Sequence, residues 1–101
     1  GEERALAIGR REGSEIHLPF DSQVSRLHAK LYATHVAASV NGDEDSPHVM
    51  MVWLEDQGSR NGTFIEKQAE PIEGRVSLRP GTLFRIGRTW LRLDVPLQFD
   101  D

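Results

Sequence analysis

Leu27, Ala29, Leu31 and Ala33 alternate with His28, Lys30, Tyr32 and Thr34, and this period of two most constrains what the chain can fold into. Alternation puts apolar side chains on one face of an extended strand and polar ones on the other. Val49 to Leu54 is apolar at every position, the pattern of a strand covered on both faces. Leu83 to Ile86 and Trp90 to Val95 read as two more strands, with Gly87-Arg88 as the turn between them. Shorter candidates are Ala5 to Gly9, Glu15 to Leu18, Thr63 to Ile65 and Arg75 to Leu78. Turn formers separate them: Gly13-Ser14, Asn41-Gly42, Gly58-Ser59, Asn61-Gly62 and Pro80-Gly81. No stretch carries a sustained helical period, so the expectation is an all-β sandwich of short strands.

At 101 residues the chain reads as one domain over 1–101, long enough to bury a core without covalent staples. Val40 to His48, rich in Asp, Glu, Ser and Gly, reads as a flexible hairpin loop, and Gln98 to Asp101 as a fraying tail. There is no cysteine, which excludes disulfides and thiolate metal sites. No signal peptide or apolar membrane span is recognisable. The formal net charge of −4 argues against a general nucleic-acid binder, which needs a broad basic face. Yet Arg10, Arg11, Arg26 and Arg60 cluster in or beside two short runs, while acids gather at Asp43-Glu44-Asp45, Glu66 to Glu73 and the C-terminus. A local basic spot on an acidic chain suits a small anionic target.

The two runs are Gly9-Arg10 followed by Val24-Ser25-Arg26-Leu27-His28-Ala29, and Gly58-Ser59-Arg60-Asn61-Gly62-Thr63-Phe64. A phosphate dianion accepts several hydrogen bonds at once, and guanidinium forks match it. A Ser25 hydroxyl on a loop, with Arg10 and Arg26 beside it, has that chemistry. Asn61-Gly62 is a strong tight-turn dipeptide, because both residues tolerate positive φ. The Asn61 amide offers a donor and an acceptor, which suits a peptide backbone. Taken singly, Ser25 is better read as an ordinary turn residue, the arginines as solubilising charge and Asn61-Gly62 as a plain hairpin turn; only the two runs together favour a ligand.

In order, Gly9-Arg10, Ser25-Arg26-Leu27-His28 and Ser59-Arg60-Asn61-Gly62-Thr63 resemble the signature of the forkhead-associated (FHA) domain, a phosphothreonine-peptide-binding β-sandwich. Glu15-Ile16-His17-Leu18, Asp56 ahead of Gly58-Ser59, and Leu83-Phe84 with Ile86-Gly87 after Pro80-Gly81 fit the same pattern, so the resemblance covers about 7–95. It implies an FHA/SMAD-like sandwich of two antiparallel sheets. It also implies a signalling or adaptor role: docking a phosphothreonine-containing protein or peptide through loops at one end. By position, Arg10 and Ser25 would hold the phosphate, Arg26 would add a contact, Asn61 would bond the peptide backbone and Arg60 would border the same surface. Gly9, His28, Gly62 and Thr63 would support the loops. No cofactor, metal, nucleic acid or membrane is implied, and a cytoplasmic or nuclear setting follows only from where threonine kinases act.

Two departures stand out. Only eight residues precede Gly9, so the family's first strand or strands are short or missing. That would leave the edge near Trp90 to Val95 unpaired, with Trp90, Leu91 and Leu93 as outer apolar positions favouring self-association. Gln23 stands where some members carry a basic residue that reads an acidic residue of the ligand, so that preference is not implied.

Three other readings compete with this one. Ser25, His28 and Asp56 can be drawn as a hydrolase triad, but residues three apart on a strand point to opposite faces, and there is no Gly-x-Ser-x-Gly elbow. His17, His28, His35 and His48 are scattered, without metal-ligand spacing. The remaining alternative is a phosphate-independent FHA-like scaffold or oligomerisation module, against which the presence of Arg10, Ser25 and Asn61 counts.

Overall fold

A computed structural model describes residues 3–37 and 48–94, and these form eight strands in two sheets. In chain order they are β1 (Arg4–Gly9), β2 (Ile16–His17), β3 (Ala29–Ala37), β4 (His48–Asp56), β5 (Thr63–Ile65), β6 (Arg75–Leu78), β7 (Leu83–Ile86) and β8 (Thr89–Arg92). The first sheet runs β2-β1-β3-β4-β6 and the second β5-β7-β8. Every pairing is antiparallel except the short one between β1 and β2. No described residue is helical. The loop expected from Val40 to His48 lies outside the described residues apart from His48, which opens β4, and so do Val95 and the tail from Gln98.

The alternation in β3 sets the register of the larger sheet. Leu31 faces Leu6 on β1 and Leu54 on β4, while Ala29 faces Ile8. Val52 and Leu54 in turn oppose Leu78 and Val76 on β6. These residues form the inner face, and Phe84, Ile86, Ile65 and Leu91 close on them from the second sheet. Leu18 and Val24 plug the end of the core near the loops. Leu27, read as part of the strand, lies in the turn before β3.

Val49 to Leu54 does not behave as a strand buried on both sides. Val52 and Leu54 are buried, but Met50 and Met51 are 39% and 38% exposed. The outer face holds its large side chains by cross-strand contact instead. Tyr32 lies opposite Trp53, and the Arg75 guanidinium sits 3.7 Å from the Tyr32 ring centroid while pairing with Glu3. An apolar run of both parities cannot separate these two arrangements, because periodicity reports hydrophobicity and not coverage.

β7 and β8 join through Gly87-Arg88, with Gly87 at φ 62 as the first central residue of the two-residue turn. Among the described residues β8 pairs with β7 alone, so its other edge is open. The three apolar side chains expected to point outward there do not act together. Leu91 lies opposite buried Phe84 and packs on the core with Leu93, leaving Trp90, 52% exposed, as the outward one. Leu91 faces inward because it shares a cross-strand pair with an inner-face residue, whereas Trp90 is paired with Arg85.

Candidate functional site

β1 ends where it meets the first motif loop. The Arg10 and Arg11 amides donate to the Ser25 and Arg26 carbonyls, both at 3.1 Å, and the His28 amide donates to the Ile8 carbonyl at 2.8 Å. The loop thus continues the sheet beyond the last residue of β1. Gly9 is what lets it come so close: a Cβ there would lie 2.0 Å from the Arg26 carbonyl oxygen. Arg10 donates from Nε to the Val24 carbonyl, which aims the chain along the loop and leaves its terminal nitrogens for a ligand.

Ser25 and His28 are not on a strand, and their side chains are not on opposite faces. The segment 25–28 is a turn ahead of β3, and the fully buried His28 ring folds back to it. Its Nδ1 accepts the Ser25 amide at 3.0 Å, and its Nε2 donates to the Gly62 carbonyl at 2.9 Å. One imidazole therefore ties the two motif runs together. The same bonds dispose of the triad, since both ring nitrogens are engaged and the Ser25 Oγ accepts the Arg60 amide at 3.0 Å instead. That leaves the Ser25 hydroxyl proton free to donate.

The second run is not a simple hairpin. It carries the chain from β4 in the larger sheet to β5 in the smaller one, and of Asn61 and Gly62 only Gly62 takes positive φ, at 82. Asp56, the last residue of β4, organises the crossover. Its carboxylate accepts the Ser59 hydroxyl at 2.5 Å, the Ser59 amide at 2.9 Å and the buried Thr63 hydroxyl at 2.7 Å. Ser59 Oγ also accepts the Gly62 amide at 2.9 Å. Burial alone would raise the Asp56 pKa. The hydrogen bonds from Ser59 and Thr63 outweigh it and hold the carboxyl below its ordinary value.

Arg10, Ser25, Arg26, Arg60 and Asn61 come together on one depression of about 240 Å³, with Ser22, Gln23 and Val24 completing the lining. Gly9, His28, Gly62 and Thr63 lie behind it, in the contacts just described. No carboxylate lines the depression, and among the described residues none of its three arginines is in an ion pair. The result is a small concave surface rich in hydrogen-bond donors, at one end of an acidic domain.

One residue of this end, Asp21, escapes a reading of the sequence, and Gln23, read there only for the basic residue it replaces, makes a contact that the reading does not include. Asp21, only 6% exposed, accepts the Gln23 amide at 3.0 Å, the Arg88 amide at 2.8 Å and the Thr89 hydroxyl at 2.7 Å. It thereby pins the site loop to the β7–β8 turn, and Gly87 leaves room for it: a Cβ there would lie 2.9 Å from the Asp21 Oδ2. Burial works to raise the Asp21 pKa, but the bonds from Thr89, Gln23 and Arg88 bring it below the ordinary value. Gln23 bonds Asn61, whose Nδ2 donates to the Gln23 carbonyl at 2.8 Å and to its Oε1 at 3.0 Å. In sequence Asp21 sits in an ordinary turn, and no signal links it to residues more than sixty positions away.

Comparison with known proteins gives consistent findings. The sequence model of the FHA domain family matches residues 6–87. A solved FHA structure studied for phosphothreonine-dependent interactions is 26% identical with a TM-score of 0.65, the match covering 96% of this chain and 83% of that one. The FHA domain of the CT664 protein from Chlamydia trachomatis is 26% identical with a TM-score of 0.64, over 92% of this chain and 78% of that one. Mycobacterium tuberculosis EmbR, solved with a low-affinity phosphopeptide, is 26% identical with a TM-score of 0.58, over 93% of this chain and 21% of that one. No curated protein sequence matches significantly.

Proposed function

The chain belongs to the FHA domain family, and on that premise we propose that it is a phosphothreonine-dependent peptide-binding module that docks phosphorylated partner proteins at the depression between its motif loops. FHA domains are binding modules and not enzymes, and this chain is read the same way. One observation carries the proposal: Arg10, Ser25, Arg26, Arg60 and Asn61, drawn from three separate stretches of chain, line a single depression with no carboxylate in it.

In this reading the roles divide by chemistry. Arg10, already oriented by its Nε bond, offers its terminal nitrogens to the phosphate, and Ser25 offers its hydroxyl proton. Arg26 and Arg60 add positive charge at the rim, while Asn61 meets the peptide backbone. A phosphate brings about −1.5 to −2 charges at neutral pH, so most of the binding strength should depend on it. Support for threonine as the phosphorylated residue comes from the family and from the phosphothreonine-dependent relative.

The test is binding to a degenerate phosphothreonine peptide library and to its unphosphorylated counterpart. Wild type should retain only the phosphorylated peptides. Arg10→Ala and Ser25→Ala should each lose about 1.5–3 kcal/mol, the range for hydrogen bonds to charged groups. Equal binding to both libraries would sink the function. Unchanged affinity in both variants would sink the site.

A further inference from the structure

We infer that Gln23 is a positioning residue that turns the Asn61 carboxamide oxygen toward the ligand, so that the site demands a backbone N–H at one position of a bound peptide and refuses proline there. This rests on the phosphopeptide reading above and extends it to what the peptide backbone must present.

A carboxamide can present its oxygen or its amino group with almost the same shape, and an exposed Asn such as Asn61 is ordinarily free to do either. Here the choice is made by Gln23. Its backbone carbonyl can only accept, and the Asn61 Nδ2 lies 2.8 Å from it. Its side-chain Oε1 lies 3.0 Å from the same nitrogen. A flipped Asn61 would set its oxygen against the Gln23 carbonyl, which cannot donate whichever way the Gln23 carboxamide turns. The amino group therefore stays with Gln23, and among the described residues nothing donates to the Asn61 Oδ1.

Gln23 is itself well seated. Its amide donates to Asp21 at 3.0 Å, and the same buried carboxylate holds the Arg88 amide and the Thr89 hydroxyl of the second sheet. The acceptor facing Asn61 is thus fixed to the sandwich and not to a free loop. The depression then shows two opposite chemistries side by side: guanidinium and hydroxyl donors from Arg10, Arg26, Arg60 and Ser25, and a bare acceptor at Asn61. A ligand that fits both carries an anion and, near it, a main-chain N–H donor. Proline, which lacks that hydrogen, leaves the oxygen unpaired.

The experiment uses the best-binding phosphothreonine peptide from the library, with each backbone amide replaced in turn by an ester, which removes one N–H at a time. In wild type, one position should cost about tenfold in affinity, near the upper end for a neutral hydrogen bond. The penalty should vanish in Asn61→Ala, fall only part-way, to about fivefold, in Gln23→Leu, which loses Oε1 but keeps the main-chain carbonyl, and return to full size in Gln23→Glu, which keeps both acceptors. Comparing ester with amide in the same variant cancels the added charge of the glutamate. A phosphopeptide that tolerates esters at every position, or a penalty untouched by Gln23→Leu, overturns the inference. A second readout needs no ligand: the Asn61 side-chain amide hydrogens should exchange slowly with solvent in wild type, and one of the two, the partner of Oε1, faster in Gln23→Leu. Unchanged exchange overturns the inference even if phosphopeptides bind. Slow exchange made faster by Gln23→Leu supports it even if phosphate dependence fails, so the two failures stay distinguishable.

Discussion

Removing the His28 imidazole strands two partly buried main-chain groups at once, the Ser25 N–H and the Gly62 carbonyl, in a site where the ring has no exposed surface. His28→Ala should therefore cost about 2–4 kcal/mol of stability, combining lost hydrogen bonds with a cavity, and urea denaturation will measure it. Gly9→Ala tests a different cause. The clash is with the Arg26 backbone oxygen at 2.0 Å, and backbone does not swing aside as a side-chain tip does. At least the 1–3 kcal/mol typical of overpacking is expected, together with weakened phosphopeptide binding, because the displaced loop carries Ser25 and Arg26. Arg10, Ser25 and Asn61 were legible in the sequence as candidates because their motifs fall in order along the chain, whereas the residue types taken singly read as turns and surface charge. The packing role of Gly9 and the two-sided bonding of His28 were legible only as motif positions. Their causes lie in contacts across the fold that no local pattern records.

At the scale of elements, Asp56 braces the crossover from β4 to β5 and Asp21 ties the site loop to the β7–β8 turn, each by accepting hydrogen bonds, and both have pKa values below the ordinary aspartate value. In the unfolded chain each would titrate near 3.9. A folded pKa below the unfolded one means that the unfolded state takes up protons first as pH falls. The stabilisation is then complete above about pH 5, and is lost from around pH 4 downward as pH passes through the folded values. Asp56→Asn should lower stability at pH 7 and flatten the acid limb of the stability curve, which denaturant melts between pH 2.5 and 7 would show. An acid limb as steep as that of wild type would count against this role for Asp56. Most strands were legible from period and punctuation; β5, β6 and β7 have the expected bounds, Thr63–Ile65, Arg75–Leu78 and Leu83–Ile86. The Asn61-Gly62 segment was harder, because a turn dipeptide marks reversal of the chain without saying which sheet the next strand joins.

The whole molecule places a basic depression on an acidic domain of net charge −4. Phosphopeptide affinity should accordingly fall with ionic strength, and Arg60→Ala should reduce that slope while Asn61→Ala lowers affinity with the slope intact, as titrations at several salt concentrations will show. The edge of β8 that is unpaired among the described residues belongs to this scale as well. Leu93 exchanges hydrogen bonds with the β7 side through Gly81 and Thr82, so by alternation Trp90 and Arg92 turn their backbone groups to the free edge. Leu91 and Leu93 pack inward, which leaves Trp90 and its neighbour Leu83, 52% and 44% exposed, as the apolar surface on that side. Pairing of two β8 edges would continue the three-stranded sheet into a second copy, driven by main-chain hydrogen bonds and a small apolar patch. A weak, concentration-dependent dimer is the expected outcome in sedimentation, and Trp90→Lys should abolish it. A clean monomer across a wide concentration range would remove the edge from consideration. Trp90 is not among the residues lining the depression, so Trp90→Lys should keep full phosphopeptide affinity and Arg10→Ala should keep the dimer. Loss of both properties in either variant would mean that self-association and peptide docking share one surface, contrary to the separation seen in the fold.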